Sequence, residues 1–384
     1  MASVWPFLPN GEVIEALAWQ TDVLRARASE QRQQLRSLPR RTWQFKHLLN
    51  HDQHAAARAL MRANTKFAVP DWTARLWTGA LTAGSSVSVS VDTAALDVSA
   101  GDTLVFWQDA VNNEIVTVKS VAADAIVLVA VETGRAGTLY AADLALAPDG
   151  LQLTRPPGRY FEAAIAFESI RGAPDAAASV GYASYRGHDV LPDVPVLGAG
   201  AFSEAVSWPG ERLDSGTGPL GFWRARDLPD DRYMMRWHAF SAADQRLLRQ
   251  WIFSRAGRAK AFWRSTWSND LSAAADLGAA DTALRVFLPT GAASLGTSNF
   301  DLELHGHDLY RRRVTAVAAA DAVDGRPTVT LGLDAPLGAA HSAAQLARIR
   351  FLKCLRFDAD RIEFLRVPGA GVAVQVPLIE VPVP

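Results

Sequence analysis

The chain has 384 residues, of which 49% are hydrophobic and 21% charged. That is enough for two or three domains with real cores and is too apolar for a disordered chain. Its 39 basic and 40 acidic side chains leave a net charge of -1, which excludes a strong overall field toward nucleic acid or an anionic membrane. A single cysteine, Cys354, excludes an intramolecular disulfide framework and an all-cysteine metal site.

Residues 1–13 form a proline-rich strap. Residues 13–19 alternate like a half-buried strand. A loop at Glu30-Gln31-Arg32 follows, and then a strand over 40–48 with Arg41, Trp43 and Phe45 on one face. Pro39 suits the start of that strand. Asn50-His51-Asp52 offers an N-cap for a helix over 53–64. Residues 14–77 with 148–170 thus read as one α+β unit. Residues 78–147 change texture, with short strands predicted at 86–91, 103–108, 114–121 and 125–131. They read as an inserted small β-barrel or sandwich.

Residues 171–201, rich in Gly, Ala and Pro, form a linker strap. A second α+β unit covers 202–271 and 347–384. In it Ser241 caps a helix over 242–256, Asp244 lies in the first turn and Gly257 closes it. Leu247, Leu248, Trp251 and Ile252 mark its buried face. A second β insert covers 272–346, with strands at 282–288, 301–304, 309–317 and 327–333. Cys354 sits in an apolar, strand-like run as a small hydrophobe. The longest apolar run, 125–131, is too short to span a bilayer, and the N-terminus has no basic or apolar leader regions. The chain is therefore expected to fold in the cytosol and stay soluble.

The sequence reads as written twice. Glu15-Ala16-Leu17-Ala18-Trp19 returns as Glu204-Ala205-Val206-Ser207-Trp208, and Phe67, Trp72 and Leu76 return as Phe262, Trp267 and Leu271. Arg155 with Phe161, Ala163, Ile165 and Phe167 matches Arg366 with Val372, Val374, Val376 and Leu378. The lead-in Leu8-Pro9-Asn10 matches Leu191-Pro192-Asp193. A repeat this long is a domain rather than a solenoid unit. It predicts a pseudo-two-fold molecule or one that gives two wedges to a ring. Trp19, Phe67, Trp72, Trp208, Phe262 and Trp267 are the expected structural anchors. Trp5, Trp77, Trp107 and Trp223 are left for contacts.

Candidate chemistry is sparse. Asp214-Ser215-Gly216-Thr217 matches an aspartic-protease local motif, but that chemistry needs a second carboxylate and the first copy supplies none. These residues are also ordinary turn formers. His47, His51 and His54 straddle a helix start, and the second copy keeps none in register; His305 and His307 near Asp308 lack a third ligand. No nucleophile elbow, phosphate loop or dinucleotide fingerprint is present. No catalytic, cofactor or metal residues are assigned. Arginines 25, 27, 32, 36, 40, 41 and 311–313 read as surface ion pairs.

Three places resemble phage tail-tip proteins of the distal-tail and baseplate-hub type. They are the Ala-Leu-Ala-Trp strand with Glu30-Gln31-Arg32 and Leu38-Pro39-Arg40-Arg41-Thr42-Trp43; the helix ending Phe253-Ser254-Arg255-Ala256-Gly257-Arg258; and the Pro-Gly hairpin before the final strand. The second copy departs at Leu228-Pro229-Asp230-Asp231, which lacks the paired arginines. The resemblance implies an α+β, mostly β fold in which a tail-tube-like unit is duplicated in tandem, each copy carrying a β insert. It implies a structural virion protein of the tail tip, assembled in the host cytoplasm. Such a protein forms a homo-oligomeric ring (trimer preferred, hexamer possible) that joins tail tube protein to hub and fibre proteins; the net charge and the short apolar runs, for their part, predict no nucleic-acid specificity and no membrane insertion. Arg40 and Arg41 against Asp230 and Asp231 are the expected interface charges. Rival readings are a virion carbohydrate-binding or adhesin module, and a tail-associated hydrolase.

Overall fold

The computed structural model describes residues 2–26, 29–93, 98–132, 134–171, 181–191, 203–208, 210–224, 230–290, 295, 299–346, 348–367 and 370–382. The first half of the chain runs β1 (Ser3–Val4), β2 (Val13–Ala18), β3 (Thr21–Arg25), β4 (Glu30–Gln34), β5 (Arg40–Leu49), α1 (His51–Ala63) and β6 (Lys66–Leu81). It continues through β7 (Gly84–Ser90), β8 (Thr103–Trp107), β9 (Asn113–Ala122), β10 (Ala125–Val131), β11 (Arg135–Leu146), β12 (Leu151–Thr154) and β13 (Phe161–Ser169). The second half opens with β14 (Ser184–Tyr185), β15 (His188–Val190), β16 (Ser203–Ser207), β17 (Gly210–Leu213), β18 (Gly221–Arg224), β19 (Asp230–Ala239), α2 (Ala242–Arg255) and β20 (Phe262–Ser265). It closes with β21 (Ser272–Ala273), β22 (Ala283–Phe287), β23 (Phe300–His305), β24 (Leu309–Val323), β25 (Arg326–Leu333), β26 (Arg348–Phe357), β27 (Arg361–Val367) and β28 (Gly371–Glu380). The protein is mostly β. The linker expected over 171–201 lies largely outside the described residues, as do Phe202, Leu228-Pro229 and Pro368-Gly369.

Local chemistry accounts for both helices. Asn50 Oδ1 accepts from Gln53 N at 2.8 Å while Asn50 N donates to Gln53 Oε1 at 3.1 Å, a reciprocal cap on α1. Ser241 Oγ accepts from Asp244 N at 3.1 Å at the start of α2, which ends where Ala256 takes a left-handed φ of 52°. Leu248, Trp251, Ile252 and Arg255 are the buried stripe of α2, at the spacing of one helix face. Leu247 is 48% exposed, so the buried face starts one residue later than expected. The segment expected as a loop at Glu30-Gln31-Arg32 is β4, paired antiparallel with β3. Its residues are all polar, so no alternation marked it as a strand.

The chain forms two compact units. Unit 1 comprises Met1–Val180, Val194–Lys260 and Phe357–Ile379. It holds a continuous antiparallel sheet in the order β12–β13–β5–β2–β27–β28–β19–β16. Beside it, β1 runs parallel to β6, and a second series runs β6–β11–β8–β9–β10–β7. Both β6 and β11 are long, covering Lys66–Leu81 and Arg135–Leu146. Trp5, Phe7, Trp43, Phe45, Phe67 and Phe167 dominate one core, and Leu104, Phe106, Ile126, Leu128 and Leu139 dominate a second. Trp5, expected to be free for contacts, is 0% exposed. The parallel pairing of β1 with β6 carries it into the core.

Unit 2 comprises Gly181–Asp193, Ala261–Arg356 and Glu380–Pro384. Here β15 runs parallel to β20, and the series is β20–β26–β23–β24–β25–β22. Leu284, Val286, Leu302, Leu304, Leu331 and Ile349 form its core. Cys354 is buried in β26.

The turn into β28 needs glycine. Gly371 has a φ of 86°, and a Cβ there would stand 2.4 Å from the Ala239 carbonyl oxygen. Gly371→Ala is expected to lower stability by more than about 1 kcal/mol, from the left-handed backbone and from the clash. A thermal unfolding midpoint equal to that of the native chain would contradict this.

Candidate assembly seam

The chemistry of unit 1 concentrates where β2 meets β27. Strand β2 lies between β5 and β27, so no edge of it is open. Its Glu15 is 0% exposed. The carboxylate accepts from Arg41 Nε at 2.8 Å and Arg249 Nη1 at 2.6 Å on Oε1, and from Arg366 Nη2 at 2.7 Å on Oε2. The arginines come from β5, α2 and β27, so one carboxylate ties three elements together. Burial alone would raise the Glu15 carboxyl. The charges of Arg249, Arg41 and Arg366 outweigh burial and hold it well below the usual carboxylate range. Arg41 also donates to Asp143 at 3.1 Å and lies 4.4 Å over the Trp43 ring.

Beside this cluster Trp19 is 4% exposed and meets Phe253 edge-on at 5.6 Å. Trp19 N donates to the Asp360 carbonyl at 2.9 Å. The Asp360 carboxylate accepts from Thr21 N at 2.9 Å and Arg258 N at 3.0 Å. This aspartate stitches the end of β2 to the turn before β27.

Among the described residues the two ends of the same sheet are open: β12 has only β13 as a strand partner, and β16 has only β19. Every residue of β16 is exposed. Val206 is 62% exposed and Trp208 40% exposed, with Arg224 4.1 Å over the indole. The adjoining β17–β18 hairpin also exposes Phe222 and Trp223.

Of the expected anchors, Phe67 and Phe262 are fully buried, as Trp19 is nearly. Trp72 is half-buried, edge-on to Trp107 at 5.5 Å and to Tyr140 at 5.1 Å. Trp267 is half-buried in a left-handed turn under the Arg264 guanidinium. Of the expected interface charges, Arg41 belongs to the Glu15 cluster, Arg40 is exposed and Asp231 is half-buried opposite Val206. The side chain of Asp230 lies outside the described residues. Glu15 itself was missed as a site residue. Its signal was a lone carboxylate at an inward-facing position of an alternating strand.

His47, His51 and His54 do not converge on one point, whereas His307 lies with its ring 5.7 Å from that of His341. Trp5 Nε1 donates to His47 Nε2 at 3.1 Å, and His47 Nδ1 donates to the Leu8 carbonyl at 2.9 Å. Both ring nitrogens are used, and burial pushes the His47 pKa down. His54 stacks on Phe161 at 4.0 Å, His51 is exposed, and His305 pairs with Glu303. No cluster of His, Cys, Asp or Glu suited to a metal occurs among the described residues. Asp214 accepts from Gly216 N at 2.9 Å in the exposed turn between β17 and β18. No helix among the described residues is long and apolar enough to cross a membrane. No known protein family matches the chain, and no curated protein is a significant match.

Proposed function

We propose that this chain is a tandem duplication that serves as a structural, non-enzymatic component of a phage tail tip. It forms a ring that connects the tail tube to the central fibre or receptor-binding apparatus. The strand order supports the duplication. The run β12–β13–β5–β2 of the first half has its counterpart in β27–β28–β19–β16 of the second. The insert series β11–β8–β9–β10–β7 likewise corresponds to β26–β23–β24–β25–β22. The parallel pair β1·β6 corresponds to β15·β20. That last register matches Val4-Trp5 with Val190-Leu191, which shifts the lead-in correspondence away from Leu8-Pro9-Asn10.

The observation that carries the assembly reading is the β2·β27 seam. A pseudo-two-fold pairing of the halves would set β2 against its own counterpart, β16. Instead β2 meets β27, the counterpart of β12. Unlike edges meet head to tail, the relation that closes into rings or continues into filaments. The tail-tip assignment adds the resemblance of the β2 motif, the β5 approach and the α2 terminus to distal-tail and hub proteins. Three chains would present six similar halves, which suits a six-fold tube above a three-fold fibre. Native mass measurement with symmetry analysis of particle images tests this. A closed three-fold particle is expected; a stable monomer or a two-fold dimer overturns it.

A further inference from the structure

The residues that build the internal seam have counterparts at the two open sheet ends. Glu15 corresponds to Glu204, since they face Trp43 and Tyr233 at matching positions. Arg249 corresponds to Arg58, each equally far from its helix N-cap, Ser241 or Asn50. Arg366 faces Val372, the counterpart of Phe161, and corresponds to Arg155 next to β12. Asp360 corresponds to Asp149, and Leu17 and Trp19 correspond to Val206 and Trp208.

In the internal seam Glu15, Leu17 and Trp19 are buried. Their counterparts, together with Arg58, Asp149 and Arg155, are exposed. His54, one turn before Arg58 in α1, stacks on Phe161 at 4.0 Å, and Arg155 lies 5.3 Å over the same ring, so Arg58 and Arg155 border one patch. The exception is Arg41, whose counterpart is Asp231. Glu204 thus keeps the acid of the internal cluster, while two of its three cations stand at the far end of the sheet.

We infer that the open edge of β16 pairs antiparallel with the open edge of β12 in a second copy of this chain, in the register of the internal seam, with Glu204 held by Arg58 and Arg155 of that copy. This deepens the ring reading and rests on its head-to-tail relation of halves. Internally Glu15 faces Phe364 and Ala16 faces Glu363. The corresponding pairs between copies are Glu204 with Leu153 and Ala205 with Gln152. Strand addition of this kind satisfies both edges and removes an exposed template for misassembly. Pairing β16 with a second β16 would instead leave Glu204 without Arg58 and Arg155.

The test uses the full chain. The double variant Ala205→Cys/Gln152→Cys should yield a ladder of covalent oligomers on mild oxidation, because Cys354 is buried and each molecule carries both halves of the pair. Ala205→Cys/Leu151→Cys should not, since a one-residue slip turns the side chain to the opposite face. Glu204→Arg should weaken association by at least about tenfold, and combining it with Arg155→Glu should restore much of that loss. All these positions except the half-buried Leu151 are exposed, so the fold of the single chain should survive. Ring-sized particles that neither cross-link in register nor respond to charge reversal would overturn this seam and leave the ring reading standing. A ladder from the slipped pair would overturn the register. A monomer at every concentration would overturn both readings.

Discussion

Replacing Glu15 with glutamine is expected to destabilise unit 1 by about 3–5 kcal/mol, the usual cost of removing one partner from a buried charge cluster. Three guanidiniums at 2.6–2.8 Å would lose the carboxylate that offsets them. Their side chains are only 11–13% exposed, so water cannot take its place. The effect must depend on pH in a defined direction. The folded-state pKa of Glu15 lies well below its ordinary value, while the unfolded value is about 4.3. Its contribution is therefore complete above about pH 5 and is lost as the pH falls through the folded value. Denaturant titrations should show a constant gap between native and variant chains from about pH 5 upward, closing in acid. A gap that widens in acid, or no gap at neutral pH, would refute the assignment. Replacing the whole cluster with apolar residues is a different experiment, because desolvation of all four charges disappears with it.

The strands and helices were readable where period and cap chemistry act locally. Both N-caps, the alternation of β5 and the strands predicted over 86–131 and 282–333 follow from residues close in sequence, whereas β3 and β11 were not read at all. Strand β4 was not readable, because an all-polar hairpin arm carries no alternation. The Glu15 cluster was hidden for a different reason. Its arginines lie 26, 234 and 351 positions away, and only the pairing of β2 with β27 brings the last two together. His47, grouped by spacing with His51 and His54, is separated from them by the strand-to-helix junction and spends both ring nitrogens on Trp5 and Leu8. The duplication we propose was read from matched spacing. Whether one of its residues is buried was not legible there, since burial depends on which strand lies alongside.

Trp19 and Trp208 turn that dependence into a measurement. In the proposed duplication they end corresponding strands, yet Trp19 is 4% exposed and Trp208 40% exposed. Trp19→Ala should cost about 3–5 kcal/mol, because it opens a large cavity beside Phe253. Trp208→Ala should change the stability of the isolated chain by no more than about 1 kcal/mol, the contribution of its contact with Arg224 at a partly exposed site. If an assembled neighbour covers Trp208 as α2 and the turn before β27 cover Trp19, the same variant should weaken the assembled particle. Unfolding curves recorded below and above the assembly concentration separate the two effects. Trp19→Ala should lower both curves, whereas Trp208→Ala should lower only the second. Equal losses from the two variants in the dilute chain would mean that Trp208 is a core residue, and an unchanged assembled curve would mean that the β16 edge takes no neighbour.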